Sequence, residues 1–233
     1  MCVKSLRIYI EMKKILILLL CAAALSSCAT ARFYSGFKPS SAYGDLALLE
    51  PISHQFYLDS RDKEYYSDSL SIVSENLMAG LTPAIGVPVN ALLPLDSLQR
   101  EEAEAFMEYV AAHDRRLAGD FKIPTALDEV LEESGYRYGL LLFADGVSRD
   151  VGDYIGKAAL GMGLGILTAI LTMGMVSVYT YPTPAVSLMY AAVLDSETDR
   201  IVFYNLREYE DLNTTSEKSV RRQLSHLLKD FRK

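Results

Sequence analysis

The sequence predicts an α/β (α+β) protein: a central mixed sheet of about four to five strands, amphipathic helices packed on it, and an uncharged, glycine-rich helical insertion. Three observations carry this expectation. Tyr136 to Ala144 is a continuous apolar run without alternation, as in a strand covered on both faces. Val186 to Leu194 and Ile201 to Tyr204 are two more such runs, joined by the polar turn Asp195 to Arg200, the pattern of a β-hairpin. Between the strand-like runs, apolar residues recur every three or four positions, the period of a helix with one buried face.

The chain opens on a leader. Lys13 and Lys14 precede the apolar run Ile15 to Leu25, and small residues follow it: positive, then apolar, then small, the layout of an export signal. Leu25-Ser26-Ser27-Cys28 ends this layout on a cysteine where an Ala-x-Ala cleavage site would stand. It resembles the lipobox of bacterial lipoproteins. That resemblance implies cleavage between Ser27 and Cys28, a diacylglycerol on the Cys28 sulfur, and Cys28 as the new first residue. Ile15 to Leu25 is 11 residues long, against the ~20 that a membrane-crossing helix needs. Met12 reads as the natural start, and Met1 to Glu11 is either an over-long beginning or an untidy basic region. Residues 1–27 are thus expected as signal, 28–44 as a lipidated flexible tether, and 45–233 as one α/β domain with an apolar insertion at 150–184.

Composition narrows the function classes. The chain carries a net charge of −7; without residues 1–27 it keeps 19 basic and 29 acidic residues, a net charge of −10. Such a surface has no basic field to neutralise phosphates, so nucleic acid is excluded as a partner. Cys2 and Cys21 leave with the signal and Cys28 takes the lipid, so no thiol remains to pair, although export leads to a compartment where disulfides form. His54, His113 and His226 lie far apart and no His/Cys spacing suggests a metal site. No cofactor is expected beyond the covalent lipid on Cys28.

In chain order, Ala29 to Tyr43 reads as the tether and Asp45 to Glu50, stopped by Pro51, as the first strand. From Glu64 to Leu81, the residues Tyr66, Leu70, Val73, Leu77 and Leu81 mark one face of a helix with Gly80 near its stop. Ile85 to Leu93 reads as an edge strand, since Pro88 has no N–H for a ladder. Asp96 and Gln99 form a capping box for a helix to about Leu117, with Ala103, Phe106, Met107, Val110 and Leu117 inward. Its outer face, Glu101, Glu102, Glu104 and Glu108, could be imagined as a cation site but suits the positive end of a helix dipole. A third helix runs from Thr125, boxed with Asp128, to Gly135, burying Leu127, Val130 and Leu131. The last helix has Thr214 and Glu217 as its box and Val220, Leu224, Leu227, Leu228 and Phe231 as its stripe. Lys229, Arg232 and Lys233 sit at its negative end.

From Ala158 to Leu194 there is no charged residue. Ile155 to Val178 is 24 residues, about 36 Å as a helix and enough to span a bilayer. Gly161, Gly165 and Ala169 recur at every fourth position, a spacing that lets helix backbones approach closely and marks them as candidate membrane or oligomer contacts. A single crossing conflicts with topology, because it would send the hairpin and last helix to the opposite side from Cys28. It would also invert the usual charge bias, with Arg149 and Lys157 outside. Two readings stay open: a helical hairpin broken near Gly174 and packed on the core, or a segment that inserts in lipid or self-associates. Gly161-x-Gly163-x-Gly165 lacks the dinucleotide-binding spacing, and Gly156-Lys157 is followed by Ala, so no nucleotide is expected. No Gly-x-Ser-x-Gly elbow occurs, and the chain reads as no enzyme.

The hairpin from Val186 to Tyr204, preceded by a central strand and followed by an amphipathic helix, looks like a recurrent module. It is similar to the periplasmic α/β domain of the curli-secretion (CsgG-like) lipoproteins, their relatives among envelope lipoproteins, and the activators of penicillin-binding proteins. There the two strands meet at Asp-x-x-Thr-Gly; here Asp195 and Thr198 match, and Asp199 stands in place of the glycine. The resemblance spans the hairpin, the strand before it and the lipobox, and implies a non-catalytic domain that binds an envelope protein or self-associates. The secretion branch crosses membranes by β-hairpins of alternating polarity, which the glycine-rich run does not show. Ala29 after the lipid cysteine resembles the outer-membrane sorting class, so the expected place is the periplasmic side of the outer membrane.

Overall fold

The computed structural model describes residues 31–58, 63–113, 116–149, 185–210 and 212–232. Among them are eight strands, β1 (Arg32–Phe33), β2 (Leu46–Leu49), β3 (Ile52–Leu58), β4 (Glu64–Tyr66), β5 (Ala91–Leu93), β6 (Tyr138–Arg149), β7 (Ala185–Asp195) and β8 (Arg200–Glu210). Four α-helices accompany them: α1 (Asp68–Ala84), α2 (Ser97–Ala112), α3 (Thr125–Ser134) and α4 (Glu217–Leu227). The class is mixed α/β, with a sheet larger than the four to five strands expected. Strand order is β1-β8-β7-β6-β2-β5, with β3 also beside β6 and β4 beside β3. The hairpin β7–β8 and the β6–β7 pair are antiparallel, while β2 and β3 run parallel to β6.

β6 is the centre because it has partners on both edges and helices over both faces. Leu141, Phe143 and Val147 enter one core with Phe106, Met107 and Val110 of α2 and Leu127 and Leu131 of α3. Leu140, Leu142 and Ala144 enter the other, with Met78 and Leu81 of α1 and Val220, Leu224 and Leu227 of α4. Each fully buried leucine contributes about 1.5–3 kcal/mol, so neither face of β6 tolerates polar alternation. That is why the run is continuously apolar.

Along β6, Leu46 lies beside Tyr138 and Ile52 beside Phe143. One residue is therefore taken up between β2 and β3, at Glu50-Pro51, where proline could give no ladder hydrogen bond. β5 is the edge strand expected, shortened to Ala91–Leu93, with Pro88 outside it.

Several boundaries move. The expected tether is packed from Ala31 onward: β1 pairs with β8, Tyr34 N–H donates to the Val202 carbonyl over 3.0 Å, and Ala42 is buried in a short 3-10 turn. Aromatic anchoring explains it, since Phe33 and Phe37 meet Phe203, Tyr138 and Phe231. Glu64–Tyr66 is strand, not helix, and α1 buries Ser71, Ser74, Met78, Leu81 and Thr82, while Tyr66 and Val73 of the expected face are exposed. Ser67 caps it, its Oγ accepting from Leu70 N–H. α2 has the Asp96–Gln99 box and the expected inward residues, but ends at Ala112 and leaves Leu117 exposed. In α3, Thr125 is already helical and Pro124 is the cap; Gly135 closes the helix at φ +73. α4 starts after Ser216 without a side-chain cap bond, so the Thr214–Glu217 box does not form; Thr214 is buried.

Candidate functional site

The N-terminal half of β3 has β6 on one side and no strand on the other, because β4 pairs only with Phe56 to Leu58. Side chains of α1 complete that edge. Glu75 Oε1 accepts from Ser53 N–H (3.0 Å) and Ser71 Oγ from Gln55 N–H (3.0 Å); Ser67 N–H donates to the Gln55 carbonyl (2.8 Å). Ser53 Oγ donates to the Ala144 carbonyl (2.9 Å) and Gln55 Nε2 to Ser53 Oγ (2.7 Å). Gly146 makes room for this, since a Cβ there would collide with Gln55 Oε1.

On the opposite face of β3, His54 stands between two carboxylates. Its Nδ1 is 3.5 Å from Asp145 Oδ1, on β6, and its Nε2 is 3.5 Å from Glu104 Oε1, on α2. Both contacts are long, ionic in character and short of good hydrogen-bond geometry. The ring meets Phe143 edge-on at 5.1 Å. Arg100 then joins Glu104 (Nε to Oε1, 3.5 Å) to Glu75, so a line of alternating charge runs Asp145, His54, Glu104, Arg100, Glu75 and ends on the Ser53 amide. Contact with Asp145 raises the His54 pKa, burial opposes it, and the charges of Asp145 and Glu104 add to the rise. Burial raises the Asp145 carboxyl, His54 draws it down, and Glu104 pushes it up.

This arrangement suits cohesion better than catalysis. Both imidazole nitrogens face carboxylates, which leaves neither to activate a nucleophile. Asp145 and Glu104 lie at opposite nitrogens of the ring and do not converge. Among the described residues no three His, Cys, Asp or Glu side chains gather where a metal ion could sit. Glu104 is thus turned to His54 and Arg100 and is no part of a wholly solvated acidic face.

At the hairpin turn, Asp195 is buried and accepts from Arg137 Nε (2.8 Å) and Nη2 (2.9 Å), while Arg137 also pairs with Glu197. The hydrogen bond to Asp195 holds the Arg137 guanidinium still more firmly protonated. Asp199, at the position of the turn glycine, has φ +56, and its carboxylate meets Lys122 Nζ at 2.9 Å. Lys122 also bridges Arg200 through the backbone, and Arg200 faces Asp120 at 3.7 Å. Away from this turn, a groove of 340 Å³ runs between α1 and β5, with Ile72, Ala79, Leu92 and Pro94 among its walls.

Ser27, Cys28, Gly161, Gly165 and Ala169 lie outside the described residues, as does the apolar stretch 155–178. Among the described residues no helix is long and apolar enough to cross a membrane. The His54 line is what sequence reasoning missed. Its signal was the period-two pattern Ile52, His54, Phe56, Leu58, which carries a histidine on an otherwise apolar face.

No protein-family model matches the chain, and no curated protein matches it. Among solved structures it is similar to the PelC dodecamer from Paraburkholderia phytofirmans, at 12% identity, a TM-score of 0.41, and coverage of 87% of this chain and 96% of that one. It is also similar to the LpoB C-terminal domain from Salmonella enterica (8% identity, TM-score 0.28, 75% and 86% covered). A third likeness is to a DUF4136 family protein from Bacteroides thetaiotaomicron (6% identity, TM-score 0.25, 86% and 91% covered). At such distances these likenesses assign neither a family nor an activity.

Proposed function

We propose that the protein is a lipoprotein of the cell envelope, held at the periplasmic side of the outer membrane through Cys28. Its α/β body acts there without catalysis, by binding an envelope protein or copies of itself. The observation that carries this reading is Leu25-Ser26-Ser27-Cys28 at the end of a basic, then apolar leader, in a chain whose remainder has no other thiol. The engagement of His54, Asp145, Glu104, Arg100 and Glu75 with one another supports the non-catalytic part. Several acyl chains on one residue give a durable anchor, because a single chain binds only marginally.

The test is Cys28→Ala with fractionation of envelope membranes and mass spectrometry of the parent protein. The parent is expected to begin at an acylated Cys28 and the variant to leave the outer-membrane fraction. A parent with a bare sulfur and intact leader overturns the reading. A second reading, a membrane-active oligomer or secretion-complex subunit, is favoured by the absence of charge from Ala158 to Leu194. Sizing of detergent-extracted protein tests this second reading, since a strict monomer excludes it.

A further inference from the structure

The outer face of α1 differs from those of the later helices. α3 turns Glu129, Glu132 and Glu133 to solvent, and α4 turns Glu217, Lys218, Arg221 and Arg222. On α1 no exposed position after Asp68 is charged, and Ile72 and Val73 are 55% and 42% exposed. Its other carboxylate, Glu75, is already held by Arg100 and the Ser53 amide. The uncharged surface continues past the helix: no charged residue occurs from Asn76 to Leu95, and Leu92 of β5 is 54% exposed on the groove it shares with Ile72 and Ala79. Aliphatic side chains left in water where charge is depleted mark an interface. Strand addition is not what this surface offers, since β5 is three residues long and Pro94, without an N–H, follows it directly.

The stripe on α1 is complementary to itself. Ile72 and Val73 make its first half bulky, Ala79 and Gly80 make its second half small, and exposed Asn76 lies between them. A Cβ at Gly80 would meet no atom within 4 Å, so the hollow there is open. Two α1 helices set antiparallel about a twofold axis at Asn76 place Ile72 and Val73 of each copy over Ala79 and Gly80 of the other, bulk into hollow twice over. Asn76 then meets its own counterpart, and an amide can both donate and accept across the axis. A polar residue at the centre of such a contact fixes its register.

We infer that this face of α1 is where two copies of the chain meet, as a twofold-symmetric homodimer. The inference deepens the self-association in the function proposed above, naming its surface and its partner, and does not draw on the lipid anchor. Charge favours a second copy here: two chains of net charge −7 repel over acidic surface, and along α1 they can approach without like charges meeting. From Ser69 to Pro83 the face is about 21 Å long and about 10 Å wide, roughly 200–400 Å² per copy with the β5 wall, against about 800 Å² per partner in a standard interface. The dimer is therefore weak and reversible.

Sedimentation of full-length protein in a mild detergent, from about 1 to 100 µM, covers the range of a weak interface. The parent is expected to pass from monomer to dimer across it. Val73→Glu and Gly80→Lys should each weaken association about tenfold or more, because each sets an unpaired charge in the contact. The double variant should recover most of that loss, since each new charge lies over the opposite one of the second copy. Within one copy the two positions are seven apart, beyond the three- and four-residue spacings at which helix side chains pair. Thermal melts of all four proteins should agree, as both positions are exposed; if Val73→Glu melts early, Gly80→Lys alone carries the test. A parent that stays monomeric at about 100 µM overturns the inference and gives this face to a different protein. Association that the single variants leave unchanged, or a double variant no better than either, overturns it as well. None of these results bears on Cys28, whose acylation is tested separately.

Discussion

Glu75 tests the claim that side chains of α1 replace a missing strand. Its Oε1 accepts the Ser53 amide at 3.0 Å and also receives Arg100, and the Glu75 side chain is only 14% exposed. Truncation in Glu75→Ala leaves a buried strand amide without a partner, a loss of about 1–3 kcal/mol. It also removes an ion pair with Arg100, which is 29% exposed and so contributes at most about 1 kcal/mol after solvent screening. The two together predict about 1–4 kcal/mol, or a fall in Tm of roughly 2–16 °C for a chain of this size. Glu75→Gln separates the terms, because its amide oxygen still accepts from Ser53 while the charge is gone; it should cost about 1 kcal/mol or less. Urea unfolding followed by circular dichroism, with equal m-values, measures both. If Gln proves as damaging as Ala, the amide cap is not what matters. If Ala costs under about 0.5 kcal/mol, the edge is not closed by this side chain at all.

Two further substitutions probe the His54 line and the turn. The folded pKa of His54 is raised above 6.5, so its pairing stabilises fully below that pH and the stabilisation is lost as pH rises through the folded value. Burial raises Asp145 as well, which makes stability fall with pH on the acid side; the signs agree. Urea midpoints should therefore decline from about pH 6 to 8, and His54→Gln should flatten that decline; a midpoint that rises over this range refutes it. Asp199 at φ +56 predicts that Asp199→Ala destabilises by about 1 kcal/mol, whereas Asp199→Gly matches or exceeds the parent. Thermal melts that rank Ala above Gly would show that the turn does not hold a left-handed residue.

Much of the fold was legible because its signals are local or nearly so. The Asp96–Gln99 box, the glycine after α3 and the stripe of α4 each need only a few neighbouring residues to be read. The sequence predicts β8 only over Ile201 to Tyr204, because Asn205, Arg207, Glu208 and Glu210 break its apolar run. The strand nevertheless continues, with fully buried Asn205 donating to the Leu227 carbonyl over 2.7 Å. For α1 the predicted face lies about a quarter-turn from the observed one. Tyr66, Leu70, Val73, Leu77 and Leu81 look like its core face, but the buried positions are Ser71, Ser74, Met78, Leu81 and Thr82, which share only Leu81 with it. Small residues there let the helix sit close enough for Ser71 and Glu75 to reach β3, and Thr82 settles its own hydroxyl on the Met78 carbonyl at 2.6 Å.

The polar seam was hidden for a different reason. Arg100 and Glu104, four apart on α2, read as a surface helix pair, and Glu101, Glu102 and Glu108 around them reinforce that impression. What changes their meaning is β3, a strand unremarkable in sequence because Ser53, His54 and Gln55 interrupt its apolar residues. Once β3 lies beside β6, its one open edge must be satisfied, and the two helices flanking that edge are drawn together by Glu75 and Arg100 across 25 residues of sequence. The same approach delivers Glu104 to His54, whose other nitrogen faces the carboxylate that β6 buries at Asp145. A buried Asp145 alone would favour its neutral form, and a histidine held against it lessens that cost. The seam is therefore a consequence of an incomplete sheet edge, and its charges are legible as a group only after the topology is known.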